Sequence, residues 1–138
     1  MNEHRATPEA LRAMLKKARD KLTTARKDIE FEFYADAASR SYYGAFHAVS
    51  AVLAEQGLSY TSHAQTLGAF NREFVKTGIF PPDTFRKLQR LFEDRQVGDY
   101  DWSVSIDKET AAKDIDEAEW LVDACIEYLE EKIGQSLR

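Results

Sequence analysis

Cysteine is almost missing from this sequence: Cys125 is the single one in 138 residues. One thiol excludes an internal disulfide and any zinc site built from several cysteines. Long apolar runs are also missing. No stretch of about 18 apolar residues is present to cross a bilayer. The opening MNEHRATPEA lacks the apolar segment of a secretory signal, so a cytoplasmic location without membrane contact is expected. Positive charge is in deficit, with 19 Lys and Arg against 24 Asp and Glu and a net charge of −5. That balance excludes the broad basic stripe of a duplex-DNA binder and leaves a nucleic-acid role only to a local patch or a cleft. Histidine is scarce, at His4, His47 and His63, and no zinc-ligand spacing, P-loop, dinucleotide fingerprint or serine-nucleophile motif occurs. No metal site and no cofactor is therefore expected. Internal repeats, low-complexity tracts and the two-residue alternation of strands are absent as well.

What is present is helical periodicity. Hydrophobic residues make up 43% of the chain and charged residues 31%, which suits one soluble domain long enough for a real core. That domain is expected to fill residues 1–138, with its core between residues 7 and 133. Thr7-Pro8-Glu9 marks a helix start: a hydroxyl cap, a proline where no donor is needed, and an acid at the positive end. Leu11, Leu15, Ala18, Leu22, Ala25 and Ile29 recur every three or four residues and predict an amphipathic first helix. Its outer face carries Arg12, Lys16, Lys17, Arg19, Lys21, Arg26 and Lys27, the one basic concentration in the sequence. Such a face is either solvated or turned toward RNA, because phosphate contacts require only clustered Lys and Arg.

A second helix is expected from about Phe33–Asp36 to a stop at Gly57. Ser62 and Gln65 form a capping-box pattern for a third, with Leu67, Phe70 and Phe74 on its apolar arc and Gly78 at its close. Pro81-Pro82-Asp83 launches a fourth, with Phe85, Leu88, Leu91 and Phe92 on one arc and an expected end at Gly98. Asp107 caps a fifth, in which Ile115, Ala118, Val122, Cys125, Leu129 and Ile133 face inward; Cys125 reads as core rather than as a nucleophile. Gly134 ends it and a frayed tail should follow. Five helices on short loops predict an all-α antiparallel up-down bundle of four long helices plus one further helix.

The second helix divides into three faces. Ala38, Tyr42, Ala45, Phe46, Val49 and Leu53 form an arc wide enough to face a core. Arg40 and His47 point the other way with Tyr43 beside them. Ala37, Ser41, Gly44 and Ala48 make a stripe of small residues that admits another backbone. A mid-helix glycine costs about 1 kcal/mol against alanine, so Gly44 should have a packing reason. The stripe is therefore expected at a two-fold dimer interface, where one patch serves both chains.

Several polar residues stand out as site candidates. Arg95 continues the apolar arc of the fourth helix, and a guanidinium there requires a partner; it either caps the last carbonyls or reaches into a site. Asp99, Tyr100, Asp101 and Trp102 follow at once. His63 falls on its own helix's apolar arc, either packed at the core edge or held over a cleft mouth. Arg40 and His47 place an imidazole beside a cation, a pair suited to phosphate, and that cation would lower the His47 pKa from about 6.5. Arg40, His47, His63, Arg95, Asp99 and Tyr100 are thus candidates for a phosphate or nucleotide site, converging at one bundle end or across a dimer. The competing reading has Arg40 and Arg95 each neutralised by an acid such as Asp36 or Asp99.

In order, SRSYYGAFHAVSAVL, SHAQTLGAFNREFVKTG and DRQVGDYDW resemble the HEPN domains (higher eukaryotes and prokaryotes nucleotide-binding), over roughly Thr7 to Ile133. The resemblance implies a small all-helical protein. Many such domains are partners of minimal nucleotidyltransferases, which implies that partner here, in a toxin–antitoxin-like pair. Nuclease-type members carry an arginine and, a few residues on, a histidine, which together cut RNA without metal through attack of the 2′-hydroxyl on its neighbouring phosphate. Arg95 matches the arginine, but Tyr100, Asp101 and Trp102 occupy the places where the histidine would stand. Branches with an arginine followed by Asp-Tyr are more similar, as in Arg95 to Asp99-Tyr100. In related pairs the partner adenylylates a tyrosine close to the motif, and Tyr100 is the nearest one here.

General acid–base help from a positioned histidine is worth roughly 10²–10⁴-fold, so its absence argues against an active ribonuclease. Asp99 is a further candidate base, but a carboxylate of ordinary acidity, near pH 4, is a poor base at neutral pH. His63 or His47 supplied from another helix would restore the chemistry. Three readings follow: a homodimeric HEPN partner protein that binds a nucleotide or RNA phosphate, a weak metal-independent ribonuclease toxin, and a nucleotide-sensing module.

Overall fold

A computed structural model describes residues 4–138; the first three residues of the MNEHRATPEA stretch lie outside the described residues. Helix α1 spans Pro8–Glu30 and starts where the sequence places it, with the Thr7 hydroxyl accepting from the Ala10 N–H at 3.1 Å. Helix α2, Tyr34–Glu55, ends just before Gly57, whose φ of +77° only glycine adopts without strain. Helix α3, His63–Phe70, is capped by the Ser62 hydroxyl, which accepts from the Gln65 N–H at 3.0 Å. A wider π-type turn, Asn71–Val75, carries the chain on toward Gly78. Helices α4, Thr84–Tyr100, and α5, Lys108–Ile133, complete the fold; the Asp107 carboxylate caps α5 by accepting from the Thr110 N–H at 2.8 Å. Among the described residues there is no strand, and no helix is long and apolar enough to cross a membrane.

Side-chain pairs fix the directions of the four long helices. Asp28 meets Arg40 and Leu22 lies against Gly44, so α1 and α2 run antiparallel. Ala35 lies against Gly98 and Tyr43 meets Arg95, so α2 and α4 do too. Arg90 meets Glu117 and Lys87 stacks on Trp120, pairing α4 with α5; Arg12 meets Gln135 and Arg26 meets Glu119, pairing α1 with α5. Each antiparallel seam therefore carries an arginine bound across it or at its edge: Arg40, Arg95, Arg90 and Arg26.

The core is the one the periodicities define. Leu11, Leu15, Tyr42, Phe70, Leu88 and Leu91 are fully buried, and Phe46 and Phe92 pack half-buried against them. Full burial of one such side chain contributes about 1.5–3 kcal/mol. Cys125 is buried in the same cluster, where desolvation pushes its thiol pKa up and makes it a core residue.

Four expectations are corrected. The small stripe Ala37, Ser41, Gly44 and Ala48 is not a surface for a second copy, because all four residues are buried inside this chain. A Cβ on Gly44 would stand 2.9 Å from Leu22 Cδ2 and 3.1 Å from the Ala18 carbonyl oxygen, so the close crossing is with α1. Gly98 does not stop α4: a Cβ there would lie 3.3 Å from the Ala35 carbonyl oxygen, and this glycine serves a helix contact. The stretch after Gly134 does not fray. Leu137 is buried, its N–H donates to Glu130, and Arg12 holds the Ser136 carbonyl at 3.0 Å. Finally, α3 does not run as one regular helix to Gly78, since the π-type turn intervenes.

The α4–α5 seam holds a feature that helical periodicity does not reveal. Asp114 is fully buried on α5, 2.8 Å from Arg90 Nη1, which also donates to Asp94 at 2.9 Å while Nη2 stands 3.0 Å from Glu117. Burial, then the neighbouring Asp94, pushes the Asp114 carboxyl well above the ordinary carboxylate range, with Arg90 pulling the other way.

Candidate functional site

Arg95 sits in the last turns of α4 facing α2, its side chain only 14% exposed. Its Nη2 donates to the Tyr43 hydroxyl at 2.6 Å and to the Tyr100 hydroxyl at 3.3 Å. Asp99, one turn along, stands 3.1 Å from Nε and accepts from the Ser39 hydroxyl at 3.2 Å. The guanidinium carbon lies 5.2 Å from both the Tyr43 and the Tyr100 ring centroids, within cation–π range. Tyr100 is 68% exposed, so the cluster opens to solvent.

His63 reaches this cluster from the other side. The Ser62 cap fixes the first turn of α3 and places the imidazole over α2, stacked on Phe46 at 4.3 Å between centroids. His63 Nδ1 and the Tyr42 hydroxyl share a 2.6 Å hydrogen bond, and the Tyr43 ring lies edge-on to the imidazole at 5.9 Å. Desolvation lowers the His63 pKa, and the Arg95 charge lowers it further. Burial raises that of Tyr42, so the pair is a neutral imidazole and a protonated phenol near pH 7.

The structure thus brings together four of the six candidates: His63, Arg95, Asp99 and Tyr100. Arg40 and His47 do not join them. Arg40 Nε donates to Asp28 on α1 at 2.9 Å, so an acid does neutralise it, though not Asp36. His47 is half-buried on the α1 side, and its pKa is lowered by burial and then by Lys17 and Lys21 rather than by Arg40. Among the described residues, two of the seven cations on the basic face of α1 are in ion pairs: Lys16 with Asp20, and Arg26 with Glu119 and Asp116.

Sequence reasoning missed Tyr43 as the Arg95 ligand and Tyr42 as the His63 ligand. Their signal was available: Ser39, Tyr42, Tyr43 and Phe46 recur at three and four and so share one face of α2. Counting Tyr42 and Phe46 as core hid that this face is polar at its edge.

The HEPN domain profile matches residues 11–131, nearly the whole bundle and all of the cluster. The chain belongs to the HEPN domain family. Among its relatives, a "UPF0332 protein" of Thermotoga maritima is 38% identical over 84% of this HEPN chain and 88% of its own length. A protein of Methanocaldococcus jannaschii named "Putative toxin MJ0142" is 33% identical over 73% of this chain and 69% of its own. A second from that organism, named "Putative toxin MJ0605", is 30% identical over 89% and 91%. The crystal structure of TT1696 from Thermus thermophilus superposes with a TM-score of 0.72 over 92% of this chain and 98% of that one, at 18% identity, and shows the same fold.

Within this HEPN bundle the cluster's chemistry is limited and definite. Arg95 supplies a fixed cation, partly offset by Asp99. His63 supplies a neutral imidazole whose ring is locked by Phe46 and Tyr42. Such a constellation can grip a phosphate oxygen and accept a proton beside it.

Proposed function

We propose that this HEPN protein is the toxin-like member of a toxin–antitoxin-like pair, a homodimer whose partner is a minimal nucleotidyltransferase, and that the Arg95 cluster contacts the phosphate of a nucleotide or of RNA. The names of two relatives support the toxin-like role. The observation that carries the phosphate contact is the convergence of Arg95, Tyr43, Tyr100 and His63 at one solvent-facing edge. Net charge does not oppose it, because local field outweighs the total at short range. Titration of AMP, ATP and a short RNA into wild type and Arg95→Ala, with thermal melts of both, tests the contact. Binding that vanishes in a folded variant supports it. Equal weak binding by both proteins makes Arg95 a structural ion of the α2–α4 seam. Whether a neighbouring gene encodes a minimal nucleotidyltransferase, and whether that protein co-purifies with this one, tests the partner.

A second reading, a weak metal-independent ribonuclease, is favoured by one observation: a histidine from α3 stands within the arginine's cluster and is held neutral. In that chemistry His63 accepts the 2′-hydroxyl proton while Arg95 steadies the phosphate. RNA cleavage in excess chelator that is lost in His63→Ala would support it, and no cleavage by wild type would remove it.

A further inference from the structure

Past Gly98 the chain forms a second feature that the phosphate reading does not use. A groove of about 490 Å³ opens between the start of α2 and the loop that follows α4. Phe33, Trp102 and Val104 line it and are 58%, 97% and 50% exposed. Glu32, Asp36 and Asp101 line it too, and no cation does. Among the described residues none of these three carboxylates is in an ion pair; Asp101 accepts from the Ser103 hydroxyl and N–H at 2.6 and 3.0 Å. A tryptophan left almost wholly in water beside two other exposed apolar side chains marks an interaction surface.

We propose that this groove docks a segment of a different protein that carries lysine or arginine on either side of an apolar side chain. Charge selects this occupant. A phosphate-bearing ligand would face the three carboxylates and be repelled. A second copy seated by the same face across a two-fold axis would set Glu32, Asp36 and Asp101 against their own equivalents. A cationic segment meets no such conflict: its apolar residue covers Phe33 and Val104, and its guanidinium or ammonium lies over the indole face or between the acids. Gly98 and Asp101 belong both to this groove and to the end of α4, so an occupant lies within a helical turn of Tyr100. The inference does not depend on Arg95 binding phosphate or on the identity of the partner.

Trp102 supplies the readout. In a Trp120→Phe background, the protein is titrated at low ionic strength with a short peptide alternating arginine and leucine, and with its glutamate–leucine counterpart. A saturable blue shift of Trp102 emission with the first peptide alone, weakened by added salt, is expected. Asp36→Asn with Asp101→Asn should weaken binding roughly three- to tenfold, and Trp102→Ala should abolish it when followed by calorimetry, with melts confirming that each variant is folded. The proposal is overturned if neither peptide binds, if both bind alike, or if the double variant binds as tightly as wild type. It is overturned equally if Trp102 becomes shielded as the concentration of protein alone is raised, which assigns the groove to a second copy.

Discussion

Replacing Gly44 by alanine sets two opposed effects against each other at a position where the structure gives both. Alanine favours a helix interior by about 1 kcal/mol over glycine. Its Cβ would, however, stand 2.9 Å from Leu22 Cδ2, 3.2 Å from Leu22 Cγ and 3.1 Å from the Ala18 carbonyl oxygen. Leu22 can swing only partly, being 6% exposed, and the Ala18 oxygen is backbone that moves only with α1 itself. Overpacking of this kind costs about 1–3 kcal/mol, so Gly44→Ala should lose a net 0–2 kcal/mol, roughly, rather than gain. Gly68 is the internal control. It lies in α3 with nothing within 4 Å of an added Cβ, so Gly68→Ala should gain up to about 1 kcal/mol. Urea and thermal melts of both variants compare the signs, and for a chain of this size 1 kcal/mol moves the midpoint by about 3–5 °C. If Gly44→Ala is stabilised as much as Gly68→Ala, the close crossing with α1 is refuted.

The Asp114 carboxyl, raised to about 8 mainly by burial, contributes stability that is full only below about pH 4 and is lost progressively as pH rises from there through that value. Asp114→Asn removes this titration, so its effect on stability should be more favourable at pH 9 than at pH 4 in urea melts; an equal change at both pH values would refute this. His63 and His47 have the opposite sign. Both pKa values are lowered, so the stability each contributes is complete above about pH 6.5 and falls as pH drops through the folded value. Exchanging either for glutamine should flatten part of that acid limb. Tyr43→Phe should weaken any phosphate binding at Arg95 severalfold with the fold intact, because it removes the 2.6 Å ligand that holds the guanidinium. Light scattering at micromolar concentrations should report a dimer, and a monomer throughout would sink that part of the proposed function.

How much was legible follows from what a periodic pattern encodes. Thr7, Ser62 and Asp107 announced helix starts because a cap is a local hydrogen bond between residues three apart. The apolar arcs of α1, α2 and α5 were legible because burial repeats with the helical turn. Periodicity does not say which helix covers a face, so the Gly44 stripe was assigned to a second copy when α1 of the same chain fills it. Glycine is ambiguous in the same way: Gly57 and Gly134 end helices in left-handed backbone, whereas Gly98 lies inside one and admits Ala35. The site was half legible. Arg95, Asp99 and Tyr100 are neighbours in sequence, and His63 was marked by an imidazole on an apolar arc. Arg40 and His47 were included because they share a face with Tyr43, but a helix face spans enough angle to touch two different neighbours. Asp114 was invisible, since its meaning depends on Arg90 from another helix.

The arginines of the four seams differ in how far water reaches them. Their side chains are 51% exposed at Arg26, 40% at Arg40, 27% at Arg90 and 14% at Arg95. Dissolved ions shorten the reach of charges in water, from about 8 Å at physiological ionic strength to about 3 Å at 1 M, and act least on charges that water cannot surround. Added salt should therefore weaken the ion pairs in sequence, those of Arg26 and Arg40 before those of Arg90 and Arg95; exposed pairs are worth only about 0–1 kcal/mol each, so the buried leucines of α1 keep the helices packed. Melts across a salt series would then show the effect of Arg26→Gln on stability fading at lower salt than that of Arg95→Gln.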